Sequence, residues 1–323
     1  MAKIELSRWP GNPLLNPKGN KHCWWEKGSV FNPGAVADGD KIYLLYRAMG
    51  SLHYSHFGLA VLSEPTKVKK RLPLPILEPE PGNDLERFGI EDPRVVSLEG
   101  RFYIVYNAAS VYSCLREKPG KLGRMITPWK LRCSLISTSD FKNFKRHGVI
   151  LPGIDSKNGT LFPEKIQGHY ALMHRCFPHI WLSFSPKVDS FTKGVILART
   201  REGWWDSERI GAGAPPIKTP LGWLEYYHGV SRNSRGRFVY HVGILLLDLK
   251  NPKKILYRSS EPVLSPKEDW EKRGYVNNVV FVCGAVEWGD RYWVYYGAAD
   301  SRVGVASIEK SKLLKALAKE LEQ

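Results

Sequence analysis

The sequence lacks several features that would define a protein class at once. It has no run of 18 apolar residues and no apolar segment in its first 15 residues, so we predict neither a transmembrane helix nor a signal peptide. Its five cysteines are scattered and form no CxxC pair, which argues against a disulfide framework and a structural zinc site. The nine histidines show no HExxH spacing, so no metal or other cofactor is predicted. These absences predict a cytoplasmic protein without membrane contact.

Acidic residues are scarce relative to basic ones. The 32 Asp and Glu face 48 Lys and Arg, for a formal net charge of +16 across 323 residues. Such an excess indicates an anionic partner such as nucleic acid, a membrane surface or phosphate, or else an ordinary solvated surface. The basic clusters at 67–71 and 141–146 are short. Aromatic residues make up 12% of the chain, and their rings could stack on nucleic acid bases or on sugars.

An internal repeat is the most informative feature of the sequence. Five segments share an aromatic-rich strand pattern: 41–50, 101–110, 169–178, 222–231 and 291–300. A glycine-containing turn and another candidate strand precede each copy, at 33–37, 93–98, 160–166, 213–219 and 278–287. A third strand follows each copy, at 57–63, 131–138, 179–185, 238–248 and 302–308.

Five such units predict an all-β fold, a five-bladed β-propeller, because radial repetition of small antiparallel sheets protects their edges. The alternative is a two-sheet sandwich. We predict one domain, 1–323, with blades at roughly 30–65, 90–140, 158–200, 210–250 and 277–308. The leucine spacing near the end of the chain predicts a short amphipathic helix over 308–323, which could pack on its own blade or on a neighbouring copy in a homo-oligomer.

Aligned copies of the repeat place polar residues at equivalent strand ends. The seventh column contains Arg47, Asn107, Arg175, His228 and Gly297, and the tenth column ends with Asp300. Equivalent strand ends of all blades meet at one mouth of a propeller, so this ring predicts a functional site; ordinary loop polarity is the alternative.

The candidate inner strands begin with a second polar set, at 31–34, 91–94, 161–165 and 277–278. Asp92 precedes a proline, which stiffens its backbone and suits an acid catalyst, although the pair could simply mark a turn. Cations at the predicted mouth outnumber Glu91, Asp92, Glu164 and Asp300. Because ordinary glycosidases need two carboxylates, this imbalance favours an anionic attacking group such as phosphate.

The sequence resembles glycoside hydrolase family 130, which consists mainly of β-mannoside phosphorylases. The similarity is carried by SVFNPGAVADGDKIYLLYR, FGIEDPRVV, NGTLFPEKIQGHYALMHR, IGAGAPPIKTPLGWLEYYHGV, GILLLDLKNPKKILYRS and VNNVVFVCGAVEW with YYGAAD, over about residues 11–308. The resemblance implies a five-bladed propeller in which phosphate attacks the terminal β-mannosyl unit with inversion. The expected products are α-mannose 1-phosphate and a shortened acceptor.

The resemblance also implies roles for single residues. Asp92 corresponds to the proton donor, thought to act through the mannose 3-hydroxyl. Arg47, Asp300 and Asn32 correspond to mannosyl ligands. The phosphate ligands would be Arg132, Lys165, Arg175, His228 and Tyr240. Glu91, Arg94 and Asn107 belong to the same predicted mouth and are further substrate-binding candidates.

Two other functions remain open: an inverting β-mannosidase that uses water, and a non-catalytic propeller that binds anionic polymers. The retained cations favour phosphorolysis, with mannooligosaccharide and phosphate as partners and no nucleic acid. The basic insertion at 111–130 could overhang the acceptor side or be a solvated loop, and YHVG at 240–243 departs from the family pattern. Tryptophans that could be sugar platforms or structural residues are Trp24, Trp25, Trp129, Trp204, Trp205 and Trp270. The linkage cleaved, β-1,4 or β-1,2, is not determined.

Overall fold

The computed structural model describes residues 4–18, 24–52, 54–112 and 129–322. Most of the predicted insertion at 111–130 lies outside these ranges. No helix within the described ranges is long and apolar enough to cross a membrane.

The strands form five antiparallel sheets, and the predicted five-bladed propeller is confirmed. A short first strand, β1, spans Ser7–Arg8. Blade one contains β2 (Ser29–Asp38), β3 (Lys41–Met49), β4 (Ser55–Glu64) and β5 (Lys67–Arg71). Blade two contains β6 (Ile90–Leu98), β7 (Arg101–Val111), β8 (Trp129–Thr138) and β9 (Phe144–Val149).

The remaining blades follow the same order along the chain. Blade three contains β10 (Lys157–Leu161), β11 (Tyr170–Cys176), β12 (His179–Ser185) and β13 (Val195–Ala198). Blade four contains β14 (Arg209–Gly211), β15 (Ile217–Thr219), β16 (Gly222–Arg232), β17 (Phe238–Leu247) and β18 (Ile255–Arg258). Blade five contains β19 (Val280–Trp288), β20 (Arg291–Ala298) and β21 (Arg302–Glu309). Helix α1 spans Asp269–Lys272 and helix α2 spans Lys310–Leu321, and 3-10 turns span Trp24–Glu26 and Asp84–Glu86.

Apolar side chains fill the spaces between neighbouring blades. Five hydrophobic clusters each combine residues of two adjacent blades, as in Leu45 of blade one with Ile104 of blade two. Each sheet is therefore covered on both faces, which explains the long buried runs in the strands. A radial arrangement of this kind leaves the inner strands free to present polar side chains along the central axis.

The first strand closes the ring. Strand β1 pairs antiparallel with β21 and completes blade five, which would otherwise have three strands. Arg8 fixes this closure through an ion pair of 2.8 Å with the buried Glu271. The repeat pattern does not predict a strand of two residues.

The C-terminal helix is slightly shorter than predicted. It spans Lys310–Leu321, and Leu313 and Leu317 are buried in the cluster between blades four and five. The helix therefore packs on its own chain, which is one of the two predicted alternatives.

Two predicted inner strands need correction. The inner strand of blade three begins at Lys157 rather than at 160, and it ends before the predicted 162–166. In blade four the inner strand is split into β14 and β15, and the predicted strand 213–219 overlaps only β15. Pro215 and Pro216 lie in the gap, because proline cannot donate a ladder hydrogen bond.

Candidate active site

Three blades begin their inner strand with the same irregularity. The pairing of β2 with β3, β6 with β7 and β10 with β11 skips two inner residues, which form a bulge. The first residue of each bulge has positive φ: 46° at Asn32, 51° at Asp92 and 58° at Asn158. Asn and Asp tolerate this conformation better than other residues with side chains, and a bulge turns its side chain out of the regular alternation. The residue before each bulge pairs with the seventh repeat column, so the predicted alignment matches the register of these blades.

The Asp92 carboxylate is held from three sides. Its Oδ1 accepts hydrogen bonds from Asn32 Nδ2 at 2.8 Å and Arg47 Nη1 at 3.3 Å. Its Oδ2 accepts from Asn107 Nδ2 at 3.4 Å. Burial opposes ionisation of Asp92, but the positive charges of Arg47 and Arg94 and the Asn32 hydrogen bond outweigh it and lower its pKa. Asp92 is thus an ionised carboxylate held in a fixed position.

Two further carboxyl groups surround the Arg47 guanidinium. Glu91 Oε1 accepts from Arg47 Nη2 at 2.6 Å, yet burial raises the Glu91 pKa, with a smaller contribution from the negative charge of Asp92. Burial also raises the pKa of Asp300 to about 7, against the opposing charge of Arg47. The site therefore holds the ionised Asp92 beside two acids, Glu91 and Asp300, whose pKa values are raised. Neighbouring acids with pKa values pushed apart can take different roles in acid–base chemistry.

Cations occupy the opposite side of the site. Burial lowers the pKa of Lys157 to about 8, with a further contribution from the charge of Arg175. Burial likewise lowers the pKa of Arg175 to about 10. Neither side chain forms an ion pair within hydrogen-bonding reach of a carboxylate in the described part of the chain. An anion entering here would meet charges that no acidic side chain already neutralises.

His228 supports the cationic side from behind. It is fully buried, and burial together with the charge of Arg175 holds its pKa well below the usual range, so the ring is neutral. Arg175 Nη1 lies 3.3 Å from His228 Nε2. Because arginine can only donate, Nε2 accepts and Nδ1 carries the hydrogen. The ring also packs on Phe281, with centroids 4.5 Å apart.

A central cavity of about 140 Å³ separates the two sides. Its volume corresponds to about four or five water molecules. Apolar side chains complete the wall. The lining residues are Asn32, Arg47, Glu91, Asp92, Lys157, Arg175, Tyr240, Val276, Val279, Phe281 and Asp300.

Most of the predicted site residues meet at this cavity. Seven line it: Asn32, Arg47, Glu91, Asp92, Arg175, Tyr240 and Asp300. His228 lies directly behind Arg175. Tyr240 is also held by its neighbour Arg209, whose Nη2 donates to the Tyr240 hydroxyl at 2.7 Å.

Two predicted substrate ligands hold the site together instead of lining it. Asn107 is fully buried; it donates to Asp92, and its Oδ1 accepts from the backbone N–H of Asn158. Arg94 is 1% exposed and donates from Nη1 to the Asp92 carbonyl at 2.7 Å and from Nε to the Gly213 carbonyl at 3.1 Å. These contacts tie blade two to blades three and four, so both residues position Asp92.

Arg132 lies beside the cavity rather than in its lining. Its guanidinium is paired with Asp155 and donates to the Tyr112 hydroxyl at 3.2 Å. The positive charge of Arg132 is therefore already paired with a carboxylate, whereas Lys157 and Arg175 form no ion pair with the described residues.

Lys165, a predicted phosphate ligand, lies away from the cavity. It contacts Glu99 at 2.7 Å and lies over the Tyr170 ring, 4.5 Å from its centroid. Glu99 is in the turn after β6, seven residues beyond Asp92, or about 23 Å along the strand. Lys165 is therefore near the far end of the inner strand from Asp92, and the structure does not bring this predicted phosphate ligand to the cavity.

Sequence reasoning missed Lys157 and Arg209. A repeat alignment that pairs Lys157-Asn158 with Glu91-Asp92 would have found Lys157, because the two pairs occupy equivalent positions at the start of their inner strands. The predicted alignment of blade three was shifted toward the more strand-like 160–166.

The tryptophan candidates divide into buried and surface residues. Trp25 is fully buried, and Trp205 and Trp270 pack on Tyr227 and Tyr296. Trp24, Trp129 and Trp204 are about half exposed, and none of the six tryptophans is among the described residues that line the central cavity.

Comparisons with known proteins identify the family of this chain. The family model described as beta-1,4-mannooligosaccharide phosphorylase, glycoside hydrolase family 130, matches residues 10–319. A beta-1,2-mannobiose phosphorylase of Thermoanaerobacter sp. is 38% identical over 96% of this chain and 99% of its own length. A 1,2-beta-oligomannan phosphorylase of the same organism is 35% identical over 95% and 98%.

A solved structure gives the same fold. The beta-1,2-mannobiose phosphorylase of Listeria innocua, in complex with beta-1,2-mannobiose, matches with a TM-score of 0.80 and 28% identity, over 97% of this chain and 99% of that one. The predicted resemblance is thus confirmed, and the chain is an enzyme of glycoside hydrolase family 130.

Proposed function

We propose that this protein catalyses the reversible phosphorolysis of β-mannosides, with inversion, to α-mannose 1-phosphate and a shortened acceptor. The observation that carries the proposal is the pair of cations, the half-buried Lys157 and the buried Arg175, which line one small cavity together with the fixed carboxylate of Asp92. The relatives named above are mannoside phosphorylases, which supports the same reaction. Inorganic phosphate is then a co-substrate, and we expect activity to persist in the presence of a metal chelator.

In this proposal each side of the cavity handles one reactant. Phosphate binds against Lys157 and Arg175 and attacks the anomeric carbon. The glycosidic bond breaks on the opposite face, and the leaving oxygen takes a proton that originates on Asp92. Only one protein carboxyl group is needed for proton transfer, because phosphate replaces the base-activated water of an inverting hydrolase.

Phosphate also prepares Asp92 for its role. Nearby positive charge, including that of Lys157, helps to keep Asp92 ionised. A bound anion offsets that charge and raises the Asp92 pKa, so protonation becomes easier only when the nucleophile is present. We keep the predicted relay through the mannose 3-hydroxyl as the path of the proton.

The remaining carboxyl groups would hold the mannosyl unit. Asp300, with a pKa of about 7, can both donate and accept hydrogen bonds near neutral pH, which suits sugar hydroxyls. Arg47 and Asn32 offer donors beside it. Two further proposals concern the whole chain: it acts in the cytoplasm, and it takes mannooligosaccharides rather than nucleic acid.

The test is incubation with β-1,2- and β-1,4-mannobiose, each with and without inorganic phosphate. We expect α-mannose 1-phosphate only when phosphate is present, from at least one of the two disaccharides. Free mannose released equally fast without phosphate would contradict the proposal and identify an inverting β-mannosidase. The same assay determines the linkage.

A further inference from the structure

A second cavity lies beside the central one. It has a volume of about 450 Å³ and separates the loop 233–237, which connects β16 to β17, from the segment 269–273 and residues 277–278. We call it the arginine groove, defined by Asn233, Ser234, Arg235, Arg237, Asp269, Lys272, Arg273, Asn277 and Asn278. The catalytic proposal assigns no role to it.

The groove is strongly cationic. Four basic side chains line it against a single acid, Asp269, which is already paired with Arg273 at 2.5 Å. Arg235, Arg237 and Lys272 form no ion pair with any described residue, and all three are exposed. Their charges are thus available to an anion from solution.

The arginines are carried on a braced loop. Asn233 Oδ1 accepts hydrogen bonds from the backbone N–H groups of Arg235 at 3.0 Å and Arg237 at 3.1 Å. Arg232 Nη1 donates to the Gly236 carbonyl at 2.9 Å. A loop held in this way presents its charges with less ordering cost on binding.

The groove shares a wall with the central cavity. The backbone N–H of Tyr240, a cavity residue, donates to the Asn278 carbonyl of the groove at 2.9 Å. Arg237 lies three residues from Tyr240, about 10 Å along the chain. The solvent-exposed groove therefore begins within about 10 Å of a residue of the central cavity, a span of one or two sugar units.

We propose that the arginine groove binds an anionic group, a phosphate ester or a carboxylate, carried by the acceptor portion of the mannoside. The inference rests on the proposed function, because that function assigns the central cavity to the transferred mannosyl unit and leaves the neighbouring groove to the acceptor. Guanidinium groups match planar and tetrahedral oxyanions through paired donors.

The test runs the reaction in the direction of synthesis, from α-mannose 1-phosphate, with mannose or mannose 6-phosphate as acceptor. We expect kcat/KM for mannose 6-phosphate to exceed that for mannose by roughly ten-fold, the scale of one charge-assisted hydrogen bond. The preference should shrink as salt increases. In R235Q/R237Q it should disappear while kcat/KM for mannose stays unchanged.

The matched control is K142Q/K145Q, which removes the same charge from the turn after β8 and the adjoining start of β9, at the far end of the propeller, and it should keep the preference. Calorimetric titration with mannose 6-phosphate alone tests binding without turnover. If no acceptor is mannosylated, the proposed function fails, whereas binding to the wild type that is lost in R235Q/R237Q still supports the groove.

Three results would overturn the inference. Equal kcat/KM for both acceptors, without calorimetric binding, would show that the groove ignores anions on the acceptor. A preference that survives in R235Q/R237Q would place the anion elsewhere. If R235Q/R237Q has a raised KM for inorganic phosphate in phosphorolysis and unchanged kcat/KM values for both acceptors, the groove binds free phosphate instead.

Discussion

Blades two and three share one backbone conformation at the start of their inner strands but carry side chains of different charge there. Each begins its inner strand with a two-residue bulge whose first residue has positive φ, 51° at Asp92 and 58° at Asn158. In blade two, Glu91 precedes the bulge and Asp92 begins it, and in blade three Lys157 and Asn158 occupy the same two positions. The residues that pair with these strands differ in the same sense, Asn107 in blade two and Arg175 in blade three.

The comparison shows how a symmetric fold produces an asymmetric site. The repeat fixes where side chains emerge, and local composition decides the charge at each position. Acidic side chains and cationic side chains then line the same cavity. Substitutions in the acidic blade two or in the cationic blade three can therefore test the role of each side separately.

Removing the acid from blade two should have the largest effect. Asp92→Asn should lower turnover by about two to four orders of magnitude, the scale of general acid catalysis. Synthesis and phosphorolysis should fall in the same proportion at a fixed pH, because an enzyme cannot change the equilibrium constant. Initial rates in both directions measure this, and a near-wild-type rate would remove Asp92 from the acid role.

Removing a cation from blade three should affect phosphate more than sugar. Lys157→Ala and Arg175→Ala should each raise the KM for phosphate by roughly ten- to a hundred-fold, since each loses a charge-assisted bond worth about 1.5–3 kcal/mol. Lys165→Ala, at the far end of the molecule, is the control and should keep the wild-type constant. An increase confined to the KM for mannoside would mean that these two cations lie in the sugar subsite.

Giving blade three the acid of blade two should have an intermediate effect. Asn158→Asp preserves the tolerance for positive φ and adds a negative charge near Lys157 and Arg175. We expect the KM for phosphate to rise by about three- to ten-fold from electrostatic repulsion. Asn158→Gly is the control, because glycine adopts the same backbone and the Asn158 amide makes no hydrogen bond through its side chain to the described residues. Equal effects of the two substitutions would mean that charge is not responsible.

The same two blades show how far sequence could predict the site. In blade two, EDPR coincides with the start of the inner strand, so the sequence predicts Asp92 at the mouth of the propeller. The seventh and tenth columns of the repeat predict Arg47 and Asp300 at the same mouth. In blade three, the β-branched and aromatic content of 160–166 favoured a strand there, whereas the true strand starts at Lys157 with residues of low strand propensity. A register error of a few residues moved the predicted cation to the other end of the molecule, from Lys157 to Lys165.

Other parts of the site depend on contacts that no local pattern records. Arg94 follows the bulge of blade two, and only the fold shows that it turns to the carbonyls of Asp92 and Gly213. Asn107 was correctly placed in the seventh column, but its role follows from the hydrogen bonds it makes to blades two and three. Ring closure by Ser7–Arg8 has no sequence signal, because two residues carry too little periodicity.

The smallest expected effect concerns the pH dependence of phosphate binding. Burial and the charge of Arg175 lower the pKa of Lys157 to about 8, so this side chain loses its positive charge as pH rises through that value. The second-order rate constant for phosphate should therefore fall on the alkaline side, near pH 8. Lys157→Arg keeps its charge at all these pH values and should move the decline upward by at least one pH unit. Profiles of kcat/KM for phosphate between pH 6 and about 10 compare the two proteins, and phosphate itself also ionises toward the acid end of this range. Because that ionisation of phosphate is common to both proteins, it cancels in their ratio. A ratio that stays flat with pH would show that Lys157 does not titrate in this range, and the cationic side of the site would then depend on Arg175 alone.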